Sequence, residues 1–572
     1  MNLSMKYSIG LYGVLCLLAG LSGCEELDHS ISEDPYGGGK VQFGLRLLSE
    51  DPVPAKGYPG DTVVFKADGL LDYCVPEKGE YAFKFYLGEQ ETKILAATDT
   101  TLTVRVPDEC VSSNTYLVME NQVFYGPYFP IEGNISVDKS WKLSSDVVDG
   151  IVYGAISQYG KPQNNYLVGG FSHLAQYEHW CIGHVNSKGE VTRWSSSDFG
   201  TDYGVKTSVF EEDPPYINSI SAFEDGRMLV SGMFSAFEVY NPKNGGLYDL
   251  ADRVYVNNIM VLRSNAHPDT TQQYIFEDAG TESNGTPIRY SFSKLNGGSL
   301  QPIVRSFVTS AQKIVAVGNL TQYVCNEYAS SYVDSKQRIS SVASAFRMDD
   351  CGVLDSTYRL VDRTGRYSGA GGGNITDACM DKDDGVVLVG SFTSFDGVPA
   401  PGMVRLDADG NVDHAFLENL GTGPDGNVTM VRYNKALNKM MVVGGFEHVN
   451  GQPRQQMAML NPDGTLDGTF VPREIGGGAV NFAQLIDKEK VIVSGTFSTY
   501  GGVPRLGFLI LEMDGTAQQK FNVPGTFNGQ LYHVAETETT LGSYGLLLMG
   551  SFDRFNGQKA NNVLMLEVNL EH

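Results

Sequence analysis

Oxygen-bearing side chains alternate along the chain just after the apolar run that ends at residue 406. Asp407, Asp409 and Asp413 occupy alternate positions together with Asn411. Carboxylate oxygens at this spacing are calcium ligands, so a structural Ca²⁺ loop is one interpretation. However, Val412 stands where an EF-hand turn requires Gly. Hairpin turns capped by Asx side chains explain the pattern better, and we expect no metal cofactor.

A second cluster carries nitrogen and sulfur, the atoms that bind zinc in proteins. It consists of His173, His179, Cys181 and His184. Because strand side chains alternate between faces, His179 and Cys181 point one way and His184 the other. The pattern therefore argues against a metal site. The chain also lacks the H-E-x-x-H and G-x-S-x-G motifs.

Five aromatic residues in long polar segments are the candidates for ligand binding. They are Trp194, Tyr203, Tyr216, Tyr240 and Tyr248. Exposed aromatic faces flanked by Asn, Asp and Gln are typical of sugar-binding surfaces, and loops on a rigid scaffold often carry binding residues. The alternative is that these rings fill space between structural units.

The elements that must position these residues are short strands. An apolar run ending in Gly-x-Phe recurs through the larger part of the chain, at Gly169, Gly232, Gly390, Gly444, Gly495 and Gly550, with Gly318-Asn319-Leu320 as a variant. The last four copies are 54, 51 and 55 residues apart. About four short strands and about 50 residues per unit are typical of a propeller blade. We expect Gly to allow close approach of the backbone and Phe to cover the neighbouring sheet.

The number of blades is left at seven or eight by the spacing. The interval between Gly232 and Gly318 is long enough for a degenerate unit, whose strands would come from 257–263, 272–278 and 288–298. Binding residues are expected where the repeat is least regular, between about Ser172 and Gln301.

The best-preserved copy of the repeat resembles a known family. Asp384-Gly385 through Phe392, followed by Arg405-Leu406-Asp407-Ala408-Asp409-Gly410 and Phe416, is similar to the bacterial delta-60 β-propeller repeat. The resemblance is strong over 374–515 and implies a propeller over residues 151–572. It implies no particular chemistry.

An all-β unit is predicted before the propeller, over residues 41–133. Alternation in TVVFK, AFKFY, LTVRV and YLVME marks strands with one buried face, and the frequent turns indicate a β-sandwich. The run Gly57 to Leu70, followed by Thr100 to Asp108, resembles the immunoglobulin-like IPT/TIG domain, which implies a spacer or interaction module. Residues 134–150 are predicted to link the two domains.

The first 23 residues are predicted to be a secretory leader, because a basic Lys6 precedes an apolar run and small residues precede Cys24. Leu21-Ser22-Gly23-Cys24 resembles the bacterial lipobox, which implies a lipid on Cys24. Residues 24–40 read as a flexible tether, and the acidic residues after Cys24 resemble an export signal to the outer cell face.

Six cysteines remain in the exported part, and they allow fifteen complete pairings. Cys74 and Cys110, within the predicted sandwich, are the first disulfide candidates. The other cysteines fit buried thiols equally well.

A formal charge of −25 argues against nucleic acid as a partner and against a basic membrane-binding patch. Together with the resemblances, this predicts a non-catalytic outer-membrane lipoprotein of a polysaccharide-utilisation system, facing the cell exterior and binding glycan. The alternatives are a protein–protein interaction scaffold that contacts other outer-surface proteins, and a glycoside hydrolase or lyase whose carboxylates meet across repeat units.

Overall fold

The computed structural model describes residues 43–192, 203–207, 214–238, 253–275, 288–328, 336–361 and 365–570. Almost all regular structure in these residues is β. The α-helix of the described part is His414–Leu420, which begins at the N-cap Asp413, whose side chain accepts a hydrogen bond from the Phe416 amide.

The N-terminal domain is a β-sandwich, as the alternation predicts, and is immunoglobulin-like, as the resemblance to the IPT/TIG domain implies. In Thr62–Asp68 the residues at every second position are buried, as in a strand with one face in the core. The rings of Phe65, Phe85 and Phe129 meet inside, with Phe65 centred 4.9 Å from Phe85 and 5.6 Å from Phe129. The strands are Arg46–Leu47, Thr62–Asp68, Cys74–Val75, Glu80–Tyr81, Phe83–Leu87, Gln90–Ala97, Thr101–Arg105, Ser113–Met119 and Gln122–Phe129.

Seven antiparallel blades follow in the described residues. Each contains an inner, a middle and an outer strand in chain order. Blade 1 is Ile151–Gln158, Lys161–Gly170 and Ile182–Val185; blade 2 is Tyr216–Ala222, Met228–Met233 and Ile259–Leu262; blade 3 is Arg305–Val308, Ile314–Val317 and Ala345–Met348; blade 4 is Ile375–Met380, Val386–Gly390 and Met403–Leu406; blade 5 is Val428–Asn434, Lys439–Gly444 and Met457–Leu460; blade 6 is Val480–Ile486, Lys490–Gly495 and Phe508–Glu512; blade 7 is Asn528–Glu538, Tyr544–Phe555 and Val563–Val568.

Shorter strands form hairpins and small sheets outside the blades. They are His173–Leu174, Tyr177–Trp180, Tyr203–Thr207, Ala236–Glu238, Arg253–Tyr255, Thr270–Ile275, Ile288–Ser293, Gln322–Glu327, Lys336–Ser341, Ala370–Gly371, Ser394–Phe395, Val398–Pro399, His448–Val449, Gln452–Pro453, Ile475–Gly476, Thr499–Tyr500, Val503–Pro504 and Gln558–Lys559.

The blades close into a ring, and the core lies between neighbouring blades. The inner strand of blade 1 contacts the first two strands of blade 7. Each apolar cluster of the ring joins adjacent blades; for example, Val387 and Val389 of blade 4 pack with Val431 and Val442 of blade 5. Because a blade buries its apolar face only against the next blade, no blade has a complete core alone.

The segment predicted as a linker, residues 134–150, is part of the propeller. Ile135–Val137 pairs with the C-terminal strand Val563–Val568, in register Ile135 with Val568, and so becomes the outermost strand of blade 7. Trp141 is 1% exposed and packs among residues of blades 7 and 1. The propeller therefore begins at Ile135, not at residue 151, and the ring is closed by strands from both ends of the domain.

The segments considered for an eighth blade have other places. Ile259–Leu262 is the outer strand of blade 2, paired with Met228–Ser231. Thr270–Ile275 and Ile288–Ser293 pair only with each other, as a separate hairpin outside the ring. Two strands cannot complete a blade, so this insertion extends blade 2 and leaves seven blades in the described residues.

The Gly-x-Phe motif marks a β-bulge in six of the seven blades. Opposite the glycine, the inner strand carries one extra residue; in blade 1, for example, Gly169 faces Val152 and Val168 faces Gly154. A Cβ on these glycines would overlap the carbonyl oxygen of the inner strand, such as that of Ile151 opposite Gly169 or of Asn427 opposite Gly444. The close approach predicted for the glycine is confirmed. The bulged inner strand occupies the space that a side chain at the glycine position would need.

Blade 3, which carries the Gly-Asn-Leu variant, differs. Its inner and middle strands pair without a register shift. The nearest atom to a Cβ on Gly318 would be 3.1 Å away, less crowded than in the other blades. The motif's aromatic residue is buried in the six regular blades, as Leu320 is in the variant.

Adjacent glycines in blade 5 allow the role of the close approach to be measured. Gly444→Ala places a methyl group against the Asn427 carbonyl, whereas nothing lies within 4 Å of a Cβ on Gly445. We expect Gly444→Ala to destabilise the protein by about 1–3 kcal/mol, the usual cost of overpacking. Gly445→Ala should have little effect. Urea-induced unfolding of both variants tests this, and equal midpoints would contradict it.

Candidate functional site

The bulges shape the central channel of the propeller. The extra residue of each bulge is Tyr153, Asn218, Thr376, Thr429, Asn481 or Tyr532, at equivalent positions on six inner strands. Some of these side chains tie neighbouring blades together. Thr376 donates to the Val428 carbonyl at 3.0 Å, and Asn481 donates to the Gly529 carbonyl at 3.2 Å. A cavity of about 360 Å³ remains within this ring of strands.

A buried ionic network crosses the channel. Asp377 of blade 4 accepts from Nε of Arg305 in blade 3 at 2.8 Å and from Nη1 of Arg432 in blade 5. The same carboxylate accepts from the Val431 amide at 3.1 Å. One aspartate therefore joins three successive blades.

Both arginines also satisfy the backbone of bulges. A bulge leaves carbonyl groups without partners in the strand ladder. Arg305 donates to the Asn218 carbonyl in blade 2, and Nη2 of Arg432 donates to the Tyr532 carbonyl in blade 7 at 3.2 Å. The network therefore extends from blade 2 to blade 7.

Electrostatics favour the charged form of Asp377 and the neutral form of the neighbouring His533. Burial by itself would raise the pKa of Asp377, but Arg305 and Arg432 outweigh burial and the net shift is downward. Burial lowers the pKa of Arg432, and Asp377 compensates only in part. Burial also lowers the pKa of His533 to about 4, with both arginines acting in the same direction. The channel thus holds two cations, one anion and a neutral imidazole near pH 7.

Aromatic rings line one side of the channel. The ring of Tyr153 is centred 4.9 Å from that of Tyr532 and 6.0 Å from that of Tyr216. Tyr216 is the one predicted binding aromatic whose side chain the structure describes. It was predicted to lie in a loop, but it is the first residue of the inner strand of blade 2 and is half-buried.

In the described part of the chain, the other predicted aromatics form no common site. Tyr203 lies in the strand Tyr203–Thr207, which pairs in parallel with His179 and Trp180, and not in a loop. Trp194, Tyr240 and Tyr248 lie outside the described residues, as does the lipidation candidate Cys24.

The histidine and cysteine cluster of blade 1 is divided, but not by alternation along one strand, because the extended backbone is interrupted at Cys181 (φ 64°) between the strands Tyr177–Trp180 and Ile182–Val185. His184 contacts Thr192 at 2.8 Å and Gln158 at 3.1 Å, while His173 contacts Asp149 at 2.9 Å. His179 is buried, and burial lowers its pKa to about 4. These side chains have separate surroundings and form no common ligand set.

The contact of His173, Ser172 and Asp149 has the residue types of a catalytic triad, but it caps a turn. Asp149 accepts from the backbone amides of Ser172 and His173, each at 2.8 Å. Blade 5 repeats the arrangement without a serine: Asp425 accepts from the His448 amide and lies 2.8 Å from its ring nitrogen. The repeated carboxylate therefore holds the strand-to-turn connection.

The aspartates considered for calcium serve the hairpin of blade 4. Asp407 accepts from the amides of Asp409 and Asn411 at 3.0 and 2.8 Å. Asp413 caps the helix and accepts from Nη1 of Arg405 at 2.7 Å, while Asp409 is exposed. This is the hydrogen-bonded turn that the sequence favours over a calcium loop.

The proposed disulfide is not formed in the structure. Cys74 donates to the Leu70 carbonyl at 3.3 Å and Cys110 donates to the Pro107 carbonyl at 3.2 Å, and both thiols are free. The two residues face different surroundings, because Cys74 belongs to a small hairpin whereas Cys110 lies where the sandwich meets the propeller. There Gln519 donates to the Cys110 carbonyl at 2.5 Å.

The sandwich docks directly on blades 6 and 7. The Ser112 amide donates to the Val523 carbonyl at 2.9 Å. Tyr128 donates to the Asn556 carbonyl at 2.8 Å, and burial raises the pKa of this tyrosine to about 12. The two domains therefore share hydrogen bonds and form one compact unit over Arg46–His572.

A cleft of about 630 Å³ lies at this junction, and its lining includes Tyr116 and Tyr125, two members of a row of three tyrosines. Tyr86, Tyr116 and Tyr125 are directly opposite one another on three adjacent strands. The rings of Tyr86 and Tyr116 are stacked, 5.1 Å apart and 10° from parallel, and Tyr125 is 74% exposed. The cleft wall includes Gln90 and Asn114 of the sandwich and Arg554, Gly557 and Gln558 of blade 7.

This tyrosine row is not among the residues predicted from the sequence, although the sequence carries a signal for it. In FKFYL the phenylalanines are buried, so alternation puts Tyr86 on the solvent face. The same holds for Tyr116 beside the buried Leu117. Recognising the row required the pairing of three strands, which alternation alone does not provide.

Family comparisons agree with this architecture. Residues 382–416 and 438–470, in blades 4 and 5, match a family described as Domain of unknown function (DUF5122) beta-propeller. Residues 20–127 match Domain of unknown function (DUF5008), and residues 131–221 match Domain of unknown function (DUF5124). A search of curated proteins gives no match to this chain.

Solved structures of low identity include propellers. The WD40 beta propeller domain of Doa1 is 10% identical with a TM-score of 0.39, over 77% of this chain and 98% of that one. YCF48 bound to D1 peptide is 10% identical with a TM-score of 0.35, over 76% and 100%. A protein of unknown function from Bacteroides thetaiotaomicron is 10% identical with a TM-score of 0.24, over 91% and 98%.

The chain carries a β-propeller. This fold supports a binding or interaction scaffold. In the residues that the structure describes, no helix has the length and apolar character needed to cross a membrane.

The ionic network provides a test of how the blades are held. Asp377→Ala leaves two buried guanidinium groups without their carboxylate, and we expect a loss of about 3–5 kcal/mol of stability near pH 7. Because the folded-state pKa of Asp377 is lowered, its contribution is present above the unfolded pKa of about 3.9 and is lost as the pH falls through the folded value. Urea unfolding at pH 7 and at acid pH measures both effects.

Asp383→Ala is the matched control for this experiment. Asp383 pairs with Lys382 at 2.9 Å, but both side chains are about half exposed. Such a pair contributes little, about 0–1 kcal/mol. If both variants unfolded at the same urea concentration, the network would not hold the blades together.

Proposed function

We propose that the protein is a non-catalytic, surface-anchored glycan-binding protein, and that the glycan binds in the cleft between the sandwich and the propeller. The observation that carries the proposal is the row of Tyr86, Tyr116 and Tyr125. Tyr116 and Tyr125 line the cleft, Tyr86 supports Tyr116 by stacking on it, and the exposed ring of Tyr125 offers a flat apolar face on which a pyranose can stack. The rigid strands beneath fix the spacing of the rings before a ligand arrives.

Polar groups around the row suit the hydroxyl groups of a sugar. Asn114, Arg554 and Gln558 are exposed on the cleft wall. Gln90 donates to the Glu109 carbonyl, but its own Oε1 is buried and accepts no hydrogen bond. A buried acceptor without a partner is costly, and a ligand hydroxyl group would satisfy it.

The overall charge favours a neutral glycan in this cleft. A chain with a formal charge of −25 repels polyanions at long range. A polymer carrying a carboxylate or sulfate on every repeat would meet this field along its length. Neutral polysaccharides have no such cost.

The contacts and the lowered pKa of Asp377, the carboxylate of the channel, agree with a non-catalytic function. Asp377 has both oxygens engaged by arginines and a lowered pKa, so it does not suit the role of a proton donor. A retaining or inverting glycosidase needs one protonated carboxylic acid beside the scissile bond.

Tyrosine variants in the cleft test the proposed function. We expect Tyr116→Ala and Tyr125→Ala to weaken binding of a neutral polysaccharide by about tenfold or more, since one lost aromatic stacking contact costs of the order of 1–3 kcal/mol. Affinity electrophoresis over a polysaccharide panel, followed by calorimetry on the best ligand, measures this. Tyr58→Ala is the control, because Tyr58 is 54% exposed on the same domain and does not line the cleft.

Two results would contradict the proposal. One is the failure of every polysaccharide in the panel to bind the unmodified protein. The other is a bound glycan whose affinity is the same in the Tyr116, Tyr125 and Tyr58 variants.

Anchoring is a separate part of the proposal. It rests on Leu21-Ser22-Gly23-Cys24 and on the acidic residues that follow. We expect Cys24→Ser to prevent lipidation, so that the protein leaves the outer-membrane fraction, whereas the wild type stays there and is reached by external protease. Fractionation and incorporation of labelled palmitate check this. Equal membrane retention of both forms would show that Cys24 is not the anchor.

A further inference from the structure

We propose that the central channel of the propeller binds one small hydroxylated carboxylate, of the sugar-acid type, through Arg305 and Arg432. This site is separate from the cleft and does not depend on the glycan-binding function. It involves channel residues some of whose polar atoms form no hydrogen bond among the described residues.

The first argument is the charge balance. Arg305 and Arg432 share the single carboxylate of Asp377, which leaves one positive charge in excess. Burial keeps His533 neutral near pH 7, and burial raises the pKa of the Cys379 thiol, so neither compensates. An excess charge on largely buried side chains is costly, and an anion that enters the cavity would neutralise it.

Nearby carboxylates on the inner strands are already engaged elsewhere. Asp381 pairs with Nε of Arg405 at 2.7 Å, and Glu536 accepts from the Tyr544 hydroxyl at 2.7 Å. Neither residue lines the channel cavity. The excess charge is therefore local to the cavity.

The second argument is access. The side chains of Arg305 and Arg432 are 19% and 15% exposed, whereas that of Asp377 is 4% exposed. Among the described residues, Nη2 of Arg305 and Nε of Arg432 form no hydrogen bond. The guanidinium groups are thus open to the cavity and the carboxylate is covered. Guanidinium groups bind carboxylates more strongly than neutral acceptors.

The third argument specifies the rest of the ligand. Asn218 lines the same cavity, and its side-chain Oδ1 is buried without a hydrogen-bond partner. Its backbone carbonyl accepts from Arg305, so the residue that carries the unpaired amide oxygen is in direct contact with one of the two guanidinium groups. A hydroxyl group near the carboxylate of the ligand would donate to this oxygen.

The size of the cavity limits the ligand to one small molecule. About 360 Å³ is near the lower end of the range for ligand pockets. The rings of Tyr153 and Tyr532 contribute to its wall. A long acidic polymer is also disfavoured, because the formal charge of the chain is −25.

The direct test is calorimetry on the full-length protein in chloride-free buffer, with glucuronate, glucose, acetate and inorganic phosphate as probes. We expect glucuronate to bind at one site and more tightly than each of the others, by about tenfold or more, because only glucuronate offers both the charge and the hydroxyl groups. Equal binding of glucose would overturn the role of the arginines. Equal binding of acetate or phosphate would overturn the role of the hydroxyl groups.

Variants locate the site. Arg305→Gln and Arg432→Gln each remove the excess charge and should weaken glucuronate binding by about tenfold or more. The control is Arg347→Gln in blade 3, because Arg347 pairs with Asp355 at 2.9 Å and does not line the cavity. Tyr125→Ala should leave glucuronate binding unchanged, which separates this site from the cleft.

A measurement on the unmodified protein covers the case in which a channel variant fails to fold. Crystals soaked with glucuronate should show the sugar acid in the channel with its carboxylate within hydrogen-bond distance of Arg305 or Arg432. Density elsewhere only, or no saturable binding by the wild type, would overturn the proposal.

Discussion

The propeller depends on the close approach between the Gly-x-Phe glycine and the backbone of the inner strand. At this point a side chain is excluded by a carbonyl oxygen, so the glycine is a steric requirement of the blade. The approach goes together with a bulge that adds one residue to the inner strand and bends it. Six blades repeat this feature, which explains why Gly-x-Phe is the most visible element of the repeat.

The bulges have a consequence at the centre of the ring. Each creates a backbone carbonyl that the strand ladder does not use, and a buried carbonyl without a donor is costly. In two blades arginine supplies the donor: Arg305 for Asn218 and Arg432 for Tyr532. Two buried arginines then require an anion, and Asp377 provides one negative charge for both. The bulges of the repeat thus lead to a channel in which one arginine charge has no counter-charge.

Much of the fold could be predicted from the sequence because the information is local. Alternation in Thr62–Asp68 identifies a strand, and the recurrence of Gly-x-Phe identifies a blade, without knowledge of distant contacts. The closing strand Ile135–Val137 could not be predicted in the same way. It looks like part of a linker because its partner, Val563–Val568, lies more than four hundred residues further along the chain. Likewise, the insertion after blade 2 has enough length for a blade, but its two strands pair only with each other.

Most residues of the candidate sites could not be predicted from local sequence patterns. The sequence predicts binding residues between about Ser172 and Gln301, where the repeat is least regular. Among the residues discussed, Asn218 and Tyr216 fall in that segment, and they lie on the bulged inner strand of blade 2. The other important residues come from the best-preserved part of the repeat, such as Asp377 and Arg432, or from the sandwich, such as Tyr116. The repeat determines the backbone of each blade. It does not determine the side chains at the bulge and channel positions, and these can therefore carry charge. A site built from one residue per blade leaves no motif in any single repeat, because its members become neighbours only when the ring closes.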